Sequence, residues 1–71
     1  QLLRSFAREL GVTPYAYLLQ RRVRAARQLL ATGRTPAEAA AETGFADQSH
    51  MTRAFARQLG ITPARYRAAV A

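Results

Sequence analysis

The sequence of 71 residues has no cysteine, no lysine and no tryptophan, only four acidic residues, and no apolar run near the roughly 18 residues that a membrane-spanning helix needs. Without thiols, neither a disulfide framework nor a thiolate metal site can hold so short a chain together, and the lack fits a reducing compartment. No signal-peptide pattern is present. One histidine, no glycine-rich phosphate cradle, no metal-ligand spacing and no converging pair of acids leave nothing from which to assemble an active site. The expectation is a small non-enzymatic domain with no cofactor, no metal and no membrane partner.

What the chain does carry is arginine. All eleven basic residues are Arg, and the net charge is +7. A planar guanidinium offers paired donors to a phosphate or a guanine edge, which an ammonium does not. A polyanion is the obvious partner. Composition alone fits a solvated Arg-coated surface equally well, so placement has to decide.

Placement is informative because twelve residues occur twice. FARELGVTPYAY at Phe6 to Tyr17 returns as FARQLGITPARY at Phe55 to Tyr66, 49 positions later, with differences only at Glu9/Gln58, Val12/Ile61, Tyr15/Ala64 and Ala16/Arg65. A repeat of this period points to paired helical modules. In each copy a Gly (Gly11, Gly60) suits the left-handed end of a helix, and Thr-Pro supplies the N-cap hydroxyl and first residue of the next. Val12 and Ile61 stand at hydrophobic-staple spacing from Tyr17 and Tyr66. A third Thr-Pro, Thr35-Pro36, completes a capping box with Glu38.

These signals predict an all-α chain. Residues 1–10 read as a helix with Leu2, Phe6 and Leu10 on one stripe and Gln1, Arg4 and Arg8 on the other side; a linker helix runs over 14–32 and ends at Gly33. Its apolar residues spread too widely for one narrow stripe, which predicts different neighbours at its two ends. Short helices follow at 36–43, at 48–59 capped by Asp47, and at 63–71, the last frayed beyond Ala68. No bounded run alternates as a strand would.

Two short helices joined by a Gly-containing turn form a helix-turn-helix, whose second helix can enter a major groove. Here the pair is 36–43 and 48–59, with Ala40 at the close crossing, Gly44 in the turn, and Phe45 and Met51 plugging the wedge. At 100° per residue Met51, Ala54, Phe55, Gln58 and Leu59 share one arc of the second helix, and Ser49, His50, Arg53 and Arg57 the opposite one. Arg53 suits a guanine edge, and Ser49 and His50 the neighbouring base pairs. Gln48, Thr52 and the free N–H groups of the helix start suit phosphate, and Arg57 can reach either. An exposed histidine on a surface helix is commonly just solvated, and Tyr17 and Tyr66 read as staple and core residues. Residues 1–10 align with 50–59, placing Arg4 on Arg53 and Arg8 on Arg57, so the chain reads as opening inside a recognition helix with its first unit truncated. The linker, about 28 Å at 1.5 Å per residue, nearly spans the roughly 34 Å between successive major-groove faces. Arg21, Arg22, Arg24 and Arg27 line it, some placed to pair within the protein and others to neutralise phosphate; Arg22 is assigned to phosphate.

The stretch GFADQSHMTRAFARQLGITPARYR, preceded by RVRAARQLL and AAETGF, resembles the DNA-binding domain of the AraC/XylS family of bacterial transcription regulators, and the resemblance covers the whole chain. It implies two homeodomain-like helix-turn-helix units in tandem joined by a long helix. The remainder of the first would occupy 1–33 and the second 34–71. It further implies asymmetric promoter sites, contact with RNA polymerase, a separate effector or dimerisation domain on the same polypeptide, and a place in the bacterial cytoplasm at the nucleoid. By the same resemblance base reading falls on Ser49, His50 and Arg53 in the second unit and on Leu3 and Arg4 in the first. Gln1 and Arg8 then lie at phosphates or the groove edge. Leu2 and Phe6, lacking a helix to pack on, are expected to fray, fold onto the linker or pair with another chain. The competing reading is a helical protein-interaction module whose basic face meets an acidic partner. An interfacial membrane helix fits less well, because Gly and Pro split the apolar arcs.

Overall fold

The computed structural model describes Glu9 and residues 11–71. The recognition helix read over 1–10, with Gln1, Leu3, Arg4 and Arg8 and the self-association surface assigned to it, otherwise lies outside the described residues. Four helices follow: α1 Pro14–Ala31, α2 Pro36–Glu42, α3 Gln48–Leu59 and α4 Pro63–Val70. There is no strand among the described residues. The fold is all-helical, as the punctuation predicted.

Each helix starts on the side chain assigned to it. The hydroxyls of Thr13, Thr35 and Thr62 accept from the N–H groups of Ala16, Glu38 and Arg65, each with Pro in the first turn, and the Asp47 carboxylate accepts from His50 N–H at 2.7 Å. The capping box is complete, because Glu38 Oε1 accepts from Thr35 N–H at 2.9 Å while Thr35 Oγ1 accepts from Glu38 N–H at 3.2 Å. The Thr35 backbone N–H first, and the Thr35 side chain after it, hold the Glu38 carboxyl below its ordinary range, with Arg34 and Arg67 adding to the effect.

Helix ends differ slightly from expectation. Thr32 and Thr43 cap α1 and α2 from just outside, each hydroxyl returning to a carbonyl of the last turn at 2.7 Å, and α4 stays helical through Val70 rather than fraying after Ala68. Past α1 the chain makes a Schellman closure: Arg34 N–H donates to Leu29 O and Gly33 N–H to Leu30 O, both at 3.1 Å, with Gly33 at φ 103°. Arg67 of α4 then donates through Nε and Nη2 to Gly33 O at 3.2 and 3.0 Å, tying the last helix to the end of the first.

α1 packs against all three other helices. Leu19, Val23, Ala26 and Leu30, spaced i, i+4, i+7, i+11, form the stripe that does so, and Leu29 flanks it. Tyr17 and Leu18 lie off this stripe and are half-buried, whereas Ala25 is exposed. The core is completed by Ala39 and Ala40 of α2, Phe45 of the turn, and Met51, Ala54 and Phe55 of α3, with Ile61 and Tyr66 against it. Phe55 and Tyr66 meet edge to face at 5.7 Å. Each large side chain buried here contributes about 1.5–3 kcal/mol.

A carboxyl whose folded pKa is depressed stabilises the fold above its unfolded pKa and loses that contribution as pH falls through the folded value. For Glu38 the loss starts as pH drops below about 4.5. Thermal unfolding followed by circular dichroism across that range should show a smaller acid-induced fall in Tm for Glu38→Ala than for the wild type. Parallel curves would remove the capping box from the acid response.

Candidate nucleic-acid interface

α2 and α3 meet across a turn shaped by Gly44 and Phe45. Gly44 takes φ 85°, and Phe45 N–H donates back to Ala40 O at 3.3 Å, closing α2 while the Phe45 ring enters the core. Ala39 and Ala40 are both buried, so the small side chains of α2 allow the two helices to approach closely. Met51, Ala54 and Phe55 then occupy the inner face of α3. The wedge expected from the residues is the wedge observed.

Gln48, Ser49 and Arg53 are exposed and Thr52 is half-buried; the four line a shallow depression of about 400 Å³ on the outer face of α3. Donors and acceptors of different reach are therefore side by side at the N-terminal half of the helix. Arg53 and Arg57 are exposed, and among the described residues neither has an ion-pair partner. The only ion pair among the described residues is Arg34–Glu42, at 2.8 Å. Arg21, Arg24 and Arg27 are likewise exposed along α1.

Three expected placements change. His50 does not share the open face with Ser49 and Arg53. It is half-buried, its ring edge to face with Phe45 at 5.2 Å and 88°, and Nε2 lies 3.5 Å from the Tyr15 hydroxyl of α1. On a helical wheel position 50 is on the flank of the apolar arc, and the neighbours across that flank decide where it turns. Gln58 and Leu59 were placed on the buried arc, yet Gln58 is exposed and Leu59 is 39% exposed. The last turn of α3 runs beyond the core, where both residues line an open groove with Gln20, Val23, Arg24 and Arg27 of α1.

Arg22 is the third. Assigned to phosphate, it is half-buried, with its guanidinium laid over the turn: a Cβ on Gly44 would stand 3.3 Å from Nε. The pattern missed this role, and the signal for it was the pairing of a long planar side chain on α1 with a glycine in the turn. Tyr15 was also missed. It is 59% exposed and lines a small cavity with His50, Arg53 and Arg57.

Known proteins bear on this geometry. Residues 1–69 match the helix-turn-helix domain family. The chain is 51% identical over 50 residues to an uncharacterized HTH-type transcriptional regulator, YbfI, of Bacillus subtilis (strain 168); the alignment covers 70% of this chain and 18% of that protein. No solved structure matches the chain.

Gly44 and Gly60 have similar φ, 85° and 74°, but nothing lies within 4 Å of a Cβ at Gly60. Alanine at either position should cost about 1–2 kcal/mol for the left-handed backbone. Urea titration should give Gly44→Ala the larger loss, and the excess should vanish when Arg22 is also alanine. Equal losses in the Arg22 wild-type background would mean that the guanidinium moves aside for the added methyl group at no cost.

Proposed function

Because the chain belongs to the AraC-type helix-turn-helix family, we propose that it binds double-stranded DNA sequence-specifically as part of a bacterial transcription regulator, with α3 in the major groove. The observation that carries the reading is Arg53: exposed, without an ion-pair partner among the described residues, and rooted on a helix whose inner face is taken up by Met51, Ala54 and Phe55. A guanidinium held this way is ready to meet the N7 and O6 of a guanine.

In this reading Ser49 reads a neighbouring base edge. Gln48 and Thr52, beside the free N–H groups at the start of α3, meet phosphate and fix register, and Arg57 lies at the groove edge. His50, turned toward Phe45 and Tyr15, contributes to base reading through its exposed edge. Arg22 supports the turn that aims α3, and any phosphate contact it makes is secondary. By the family resemblance, Leu3 and Arg4 read bases in the first unit, with Gln1 and Arg8 at phosphates or the groove edge. α1 has 18 residues, about 27 Å of helix, which suits two recognition helices in adjacent grooves. An effector or dimerisation domain on the same polypeptide, contact with RNA polymerase and residence in the cytoplasm belong to the same proposal. No described helix is long and apolar enough to cross a membrane.

Selection of bound duplexes from a random pool should return a motif. Arg53→Ala should then lose about 1–3 kcal/mol of discrimination at a single base pair of it. With about five phosphates neutralised, the slope of log K against log salt should lie near about −4.5. A slope near zero, or equal affinity for selected and scrambled duplexes, would point instead to a basic module for an acidic protein partner.

A further inference from the structure

The described arginines sort into those with a structural contact and those without, and Tyr15 stands at the border. It is the second residue of α1, yet its ring lies against α3, 35 positions away. It lines a cavity of about 160 Å³ with Leu19 of α1 and His50, Arg53, Ala54, Arg57 and Gln58 of α3. Its hydroxyl is 3.5 Å from His50 Nε2, and the same imidazole meets the Phe45 ring edge to face. Nothing in the helix-start motif requires a tyrosine here, because the second copy of the repeat carries Ala64 at the same position. Tyr15 is left 59% exposed, and Arg53 and Arg57, both exposed, line the same cavity.

We infer that Tyr15 is a positioning residue for DNA reading: with His50 it pins the flank of α3 to the start of α1 and walls the side of Arg53, narrowing the directions in which that guanidinium can point. This rests on the DNA-binding reading above. Long side chains lose considerable rotamer freedom when they engage a target, and a wall that removes part of that freedom beforehand favours the correct geometry over the wrong one. The hydroxyl holds the imidazole, and the imidazole is held in turn by a core residue, so the wall is anchored to the packed interior.

The test measures affinity for a duplex selected from a random pool and for a scrambled duplex, by fluorescence anisotropy, for wild type, Tyr15→Phe and Tyr15→Ala. Tyr15→Phe removes only the hydroxyl and should lower the selected-to-scrambled ratio about two- to five-fold, in keeping with one weak exposed hydrogen bond. Tyr15→Ala should lower it about ten-fold, while affinity for the scrambled duplex stays unchanged. Because the chain has a single histidine, its imidazole resonances are unambiguous, and they should move in Tyr15→Phe. If Tyr15→Ala fails to fold by circular dichroism, Tyr15→Phe decides.

An unchanged ratio in a folded variant overturns the inference and leaves DNA reading intact. So does an equal fall on both duplexes, which marks a merely structural side chain. A wild type that does not discriminate at all sinks the DNA-binding reading, and this inference with it.

Discussion

The direction in which α3 faces depends on one packing constraint, the burial of Phe45, Met51 and Phe55 between two short helices and α1. Met51 and Phe55 are fully buried and Phe45 nearly so. Rotating α3 by one residue, so that each side chain took the direction of the next, would turn Met51 and Phe55 out of the core and drive His50 into it, a cost of several kcal/mol. The outward aim of Arg53 is therefore a by-product of what its helix buries. α2 contributes by being small: Ala39 and Ala40 have no side chain to keep the helices apart.

Arginine serves two purposes in this chain, and neighbouring carbonyls and glycines separate them. Arg67 donates to Gly33 O, Arg34 pairs with Glu42, and Arg22 covers Gly44, so these three work on the connections of the fold. Two of the three turns between the described helices, those after α1 and after α2, have a guanidinium against them. The Arg34 pair is exposed on both sides and contributes at most about 1 kcal/mol. Arg53, Arg57, Arg21, Arg24 and Arg27 are exposed with no ion-pair partner among the described residues, and they set the field that a polyanion would meet. A charge total cannot make this division, because all eleven side chains are chemically identical.

Much of the architecture was legible because helix starts are local events. A Thr or Asp hydrogen-bonds an N–H three residues on, and Pro tolerates only the first turn, so Thr13, Thr35, Asp47 and Thr62 announce their helices without reference to anything distant. The bounds of α3 were readable to the residue for this reason: Asp47 opens it, and Gly60, at φ 74°, closes it. Ends capped by Thr32 and Thr43 were less legible, since a hydroxyl returning to a carbonyl of the last turn extends the periodic pattern by one position. Gln58 and Leu59 were misplaced because a helical wheel knows angle but not length, and the last turn of α3 outruns the core.

What the residues determined by themselves was therefore the four helices after Gly11, their N-caps, the repeat and the Met51, Ala54 and Phe55 part of the inner face of α3, all of which follow from hydrogen bonds and periodicities spanning a few residues. Tertiary structure decided the rest. His50 turned to Phe45 and Tyr15, Arg22 came to lie on Gly44, and Arg67 reached Gly33, because these contacts join positions up to 35 apart and depend on how α1 crosses the other helices. A side chain on the flank of an apolar arc has no preferred direction until a neighbouring helix supplies a surface, and only the packed fold puts that surface beside it.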